Sequence, residues 1–116
     1  MNVALMTEQD HFNMLEIATN VIVFAGNARN LIMKALNAAY DEDFESARAF
    51  MDQAENELRS AHRTQTEVIQ SEARGEKLET SLLMNHAQDT LMAAMTELNL
   101  AKQLVRMVQK FGSRSG

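Results

Sequence analysis

No proline interrupts the 116 residues of this chain, and only four of them are glycine. Sheets and irregular folds use those two residues to reverse direction, so a chain nearly without them has few places to turn. An all-α protein is the expectation. Apolar residues make up 46% of the chain, too many for a disordered segment, while 23% charged residues suffice to cover a soluble surface. Cysteine is absent, which excludes disulfides, thiolate zinc sites and a cysteine nucleophile on this chain. Side-chain chemistry therefore turns on His11, His62 and His86.

Eleven basic residues against sixteen acidic ones give a net charge of −5, which opposes the binding of nucleic acid phosphates. The longest strongly apolar stretch, Val21 to Gly26, is far short of the roughly twenty residues that span a bilayer. The N-terminal stretch carries acids where a signal peptide carries bases, so the expected location is the cytoplasm.

Apolar residues recur at helical spacing in three blocks, which predicts one domain over residues 1–116 with helices at about 10–40, 43–73 and 79–111. In the first block the main stripe is Ile17, Val21, Phe24, Ala28, Leu31, Ala35 and Ala38. The second carries Phe44, Ala47, Met51, Ala54, Leu58, Ala61, Gln65 and Val68, and the third Met84, Ala87, Leu91, Ala94, Leu98, Ala101, Val105 and Val108. Asp41 or Asp43 suits the start of the second helix, because a short carboxylate accepts the unpaired amides of a first turn. Gly75 suits the end of that helix, and the third is expected to stop before the tail from Gly112 to Gly116. Short connections make successive helices antiparallel in a three-helix bundle.

Two helices carry a second apolar seam: Leu15, Ala18, Ile22, Ala25, Ile32, Leu36 and Ala39 on the first, and Leu82, Ala93 and Leu100 on the third. A lone bundle shows water a polar outer face, so these seams predict burial against another subunit; a broad monomer core is the competing reading. The second seam of the third helix reads Leu82, His86, Asp89, Ala93, Thr96, Leu100. His86 and Asp89 stand three apart on one side of the helix. A neutral imidazole is a nucleophile that accepts a phosphoryl group without a cofactor. A carboxylate on an interface must be paired, protonated or bound to a cation. Met84, Met92 and Met95 offer either an adaptable surface near His86 or core filling. Glu8-x-x-His11 has the form of half a di-iron ligand set, but no second copy exists. His62 reads as a packing or hydrogen-bonding residue. No glycine-rich phosphate loop is present, which excludes an ATP-using kinase on motifs.

The stretch Ser81-Leu-Leu-Met-Asn-His-Ala-Gln-Asp-Thr-Leu-Met92 resembles the active-site segment of the lactose/cellobiose family of enzyme IIA proteins of the bacterial sugar phosphotransferase system. Ala25-Gly-Asn-Ala-Arg29, Asp43-Phe-Glu-Ser-Ala-Arg48 and Asn56-Glu-Leu-Arg-Ser-Ala-His-Arg-Thr-Gln-Thr66 agree with it, and the resemblance runs from about Met14 to Phe111. It implies a homotrimer of three-helix bundles. It also implies a phosphoryl relay, from the phosphocarrier HPr to a histidine here and on to a cysteine of enzyme IIB, for a sugar that membrane enzyme IIC selects. On this resemblance His86 is the phosphoryl acceptor, Gln88 a supporting residue, and Asp89 the residue that meets its symmetry mates around one Mg2+ per trimer. One position departs from the family pattern: Thr90 stands where a second histidine is common. A helical oligomerisation or adaptor module without chemistry is the alternative.

Overall fold

The computed structural model describes residues 8–73 and 82–115 and, within them, the side chains of 14–68, 70 and 82–112. The described chain is three helices: α1 (Glu8–Tyr40), α2 (Phe44–Ala73) and α3 (Leu82–Ser115). Among the described residues no strand occurs, and no helix is long and apolar enough to cross a membrane. The expected break at 74–77, its Gly75 terminator and the start of the third helix at Glu79 lie outside the described residues.

The α1–α2 connection is fixed by its own hydrogen bonds. Glu42 takes the left-handed conformation (φ 63°), its N–H donates to the carbonyl of Ala39 at 2.9 Å, and the Asp43 N–H donates to Ala38 at 2.8 Å. This pair of bonds satisfies carbonyls that a helix end leaves open, at the cost of a side chain in a region that favours glycine. Asp43 then starts α2: its carbonyl accepts from the Ala47 N–H at 3.0 Å and its carboxylate from the Ser46 N–H at 3.2 Å. Bonds from the Ser46 hydroxyl and amide hold the Asp43 carboxyl below the usual carboxylate range. Of the two aspartates suited to this role, Asp43 fills it.

Contacts between helices fix their directions. Arg29 of α1 meets Glu97 of α3, and further along both chains Ala39 clusters with Val105, so α1 and α3 run parallel. Against α3, α2 runs backwards: Glu55 pairs with Lys102 at 3.4 Å, while the earlier Ala47 sits with the later Val105. The bundle is up, down, up, with α1 packed extensively on both partners and α2 and α3 meeting less.

The inner stripes of α2 and α3 are those read from periodicity, from Ala47 to Val68 and from Met84 to Val105. Val108 lies beyond the core and is exposed. The α1 stripe differs. The buried line is Met14, Ala18, Val21, Ala25, Ala28, Ile32, Ala35 and Ala39, whereas Ile17, Phe24 and Leu31 are half-buried on its rim. The expected second seam of α1 therefore supplies Ala18, Ala25, Ile32 and Ala39 to the protomer's own core, where it was expected to face another subunit. A helix between two neighbours presents small residues at its centre, where backbones approach, and larger ones at the flanks. α3 also passes its expected end and continues through Gly112. One glycine costs a helix interior about 1 kcal/mol, too little to stop a long, propagating helix.

Candidate functional site

His86 and Asp89 are both exposed, on the face of α3 opposite its core line. Neither side chain takes part in a hydrogen bond or ion pair among the described residues. The whole outer line behaves alike. Leu82 is 88% and Leu100 59% exposed, and the line continues beyond the sequence expectation through Leu104, Met107 and Phe111, all exposed. The steps from Leu100 to Leu104, Met107 and Phe111 repeat the helical spacing, and that signal was present in the sequence.

Parallel α1 and α3 form a groove. Arg29 clamps it with two bonds to the Glu97 carboxylate, from Nε at 2.9 Å and from Nη2 at 2.8 Å. Next to the clamp, Met33, Leu36, Leu100 and Leu104 line a cavity of about 380 Å3. The partners are 68 residues apart, so no local pattern announces the clamp. His86, Thr90, Ala93 and Glu97 follow one another at steps of four, three and four, which sets His86 on the same side of α3 three turns before the clamp. With the offset of 68 residues, His86 stands level with Ala18 of α1. The Thr90 hydroxyl donates to the His86 carbonyl oxygen at 2.8 Å.

The remaining residues separate. Gln88 is half-buried and leaves the helix about 200° around from His86, since each residue turns it by about 100°. Met84 is 5% exposed and belongs to the core; Met92 is exposed and Met95 half-buried. His62 is exposed and, with Met95 and Leu98, lines a separate groove between α2 and α3. The side chains of Glu8 and His11 lie outside the described residues. Among the described residues no cluster of three or more His, Asp or Glu that could hold a metal forms within one protomer.

Taken together, the site is an unpaired imidazole beside a carboxylate on an open, largely apolar helix face, a geometry that suits a nucleophile served by docking partners. The chain is 44% identical over 103 residues to the lichenan-specific phosphotransferase enzyme IIA component of Bacillus subtilis, covering 89% of this chain and 94% of that one. The crystal structure of the cellobiose-specific enzyme IIA from Bacillus anthracis superposes with a TM-score of 0.82 at 39% identity, over 97% of this chain and 98% of that chain. The IIA(chitobiose) of an Escherichia coli complex with HPr superposes at 0.74 with 36% identity, over 84% and 94% of the two chains. Residues 16–109 match the model of the phosphotransferase-system lactose/cellobiose-specific IIA subunit, and the chain belongs to that family of phosphotransferase components.

Proposed function

We propose that this chain is a phosphocarrier in which His86 accepts a phosphoryl group from HPr and passes it to the cysteine of a cognate enzyme IIB, for uptake of a sugar of the lactose, cellobiose or chitobiose type. The observation that carries the reading is His86 itself, exposed and unpaired on the outer face of α3. Complex formation between HPr and the chitobiose relative supports the donor.

An imidazole nitrogen with its lone pair free attacks phosphorus in line. The new N–P bond forms as the donor's bond to phosphorus breaks and the donor keeps that electron pair. In the second half the sulfur of enzyme IIB attacks, an S–P bond forms, and His86 recovers its lone pair. Phosphoryl transfer asks the protein mainly to position and stabilise charge, so an accessible imidazole over which partners dock in turn is sufficient.

The assembly in this reading is a homotrimer whose α3 helices lie nearest the axis. The outer line alternates steps of four and three from Leu82 to Leu100, the spacing of a coiled-coil seam, continues after one extra step of four through Leu104, Met107 and Phe111, and stays exposed in the protomer. Asp89 is on that line, and each protomer brings one such carboxylate. Three copies meeting on the axis are the residues that would hold one Mg2+, whose charge would offset theirs. Gln88, turned away from its own His86, reaches a phosphoryl group only from a neighbouring protomer.

Incubation with enzyme I, HPr and phosphoenolpyruvate, followed by mass spectrometry, tests the reading. The expected product is one acid-labile phosphate per chain, and His86→Gln is expected to lower acceptance by at least about a thousandfold with helicity unchanged. A parent chain that gains no phosphate would leave the adaptor reading standing. His86→Gln labelled at the parent rate would move the site to His62 or His11.

A further inference from the structure

A phosphoryl group on His86 needs hydrogen-bond donors as well as a nucleophile, because its oxygens are strong, negatively charged acceptors. Helical geometry places four side chains beside residue 86, those three and four positions away on either side. They are Leu82, Leu83, Asp89 and Thr90. The leucines offer no donor. An ionised Asp89 only accepts, so it suits an imidazole N–H and repels a phosphate oxygen. Thr90 alone among the four brings a donor.

We propose that the Thr90 hydroxyl is a phosphoryl-binding donor for His86, held on the His86 carbonyl while the histidine is free and turned to a phosphoryl oxygen once the N–P bond has formed. The assignment rests on the carrier reading above. The free-state half of it is the 2.8 Å bond from Thr90 Oγ1 to the His86 carbonyl oxygen. That carbonyl also accepts the i→i+4 backbone bond expected from the Thr90 N–H, so it keeps a partner when the hydroxyl leaves. The change requires only rotation about the side chain's own bonds, with no movement of the helix. In this arrangement the two residues divide the work: the His86 imidazole supplies the attacking nitrogen, and Thr90 takes the incoming charge.

The test compares the parent with Thr90→Val, which keeps the branched shape and removes the hydroxyl, and with Thr90→Ser, which keeps the hydroxyl and removes the methyl. HPr supplies the phosphate, and each protein is followed for its rate of acceptance, the lifetime of its phosphohistidine and the phosphorus NMR shift of the phosphoryl group. A hydrogen bond to a charged group is large enough to change such rates about tenfold. The expected result is a tenfold slower Thr90→Val with a displaced phosphorus resonance, both restored in Thr90→Ser, and unmodified proteins that melt together. Parent-like rates and resonance in Thr90→Val, or a Thr90→Ser as slow as the valine variant, would overturn the assignment while leaving the carrier intact. A parent that accepts no phosphate would overturn both.

Discussion

α1 and α3 each carry two apolar lines, and the fates of the second lines differ. On α1 most of it turns into the protomer: Ala18, Ala25, Ile32 and Ala39 are buried and Ile22 and Leu36 half-buried, with Leu15 left exposed. On α3 it stays outside, from Leu82 through His86 and Asp89 to Leu100. Position in the bundle explains the difference. α1 packs extensively on both α2 and α3 and needs a wide apolar surface, whereas α3 lies mainly on α1 and its opposite face has no use within the protomer. Composition follows position. The buried members of the α1 line are mostly alanine and permit close approach of backbones; the α3 line mixes long apolar side chains with two ionisable ones, a mixture suited to meeting other molecules.

The largest expected effect separates the inner and outer lines of α3 directly. Leu91 is 0% exposed, and Leu91→Ala is expected to cost about 2–5 kcal/mol from lost burial and a residual cavity. Leu100, 59% exposed, is expected to matter little to the separated protomer. In the proposed trimer its truncation is expected to weaken assembly, so its effect on melting grows with protein concentration, as for any stability linked to assembly. Denaturant unfolding and light scattering over a concentration series decide between them. A Leu100→Ala variant that loses stability equally at all concentrations would place the outer line inside the protomer's own stability and erase the contrast.

Asp89 gives a smaller effect on the same outer line. If three copies converge on a cation, Asp89→Leu removes the carboxylate cluster and the metal together, and replacing buried charges by apolar groups of similar size is often neutral or stabilising. The expected variant remains a trimer, melts at an equal or higher temperature and ignores chelator, whereas the parent melts earlier once chelated. Dissociation of the variant to monomers, or a parent insensitive to both chelator and magnesium, would show that Asp89 is paired within the protein.

These residues also mark where sequence reading succeeds. In α2 and α3 one inner stripe stands out against polar flanks, and periodicity finds it. In α1 the adjacent pairs Ile17-Ala18, Phe24-Ala25 and Leu31-Ile32 are apolar throughout. Size favours the first member of the first two pairs, yet the second member of each pair is the buried one; depth there depends on neighbouring helices that no local pattern contains. His86 and Asp89 were readable because they interrupt an apolar line on one helix. The Arg29–Glu97 clamp joins separate helices and was not. The end of α3 falls after Gly112, where the sequence places it before, because local propensity takes no account of the length of the helix behind it.

Gly26 tests the edge of the contrast with the smallest change. It lies in the middle of α1 at the helical spacing of Ile22, Arg29 and Met33, on the side that borders the groove with α3. A Cβ built there meets nothing within 4 Å. In the separated protomer Gly26→Ala should therefore add about 0.5–1 kcal/mol by removing glycine's entropic cost. A helix-interior glycine with open space around it is, however, where the backbone of another copy can come close, and an added methyl would then push that copy away. The expected outcome is a Gly26→Ala protein that is more stable to denaturant when dilute and assembles less tightly when concentrated. An equal gain at both concentrations would show that no part of α1's edge joins the assembly and that α3 alone carries it. A loss at both would mean that the methyl strains the protomer itself, against the open space found at this position.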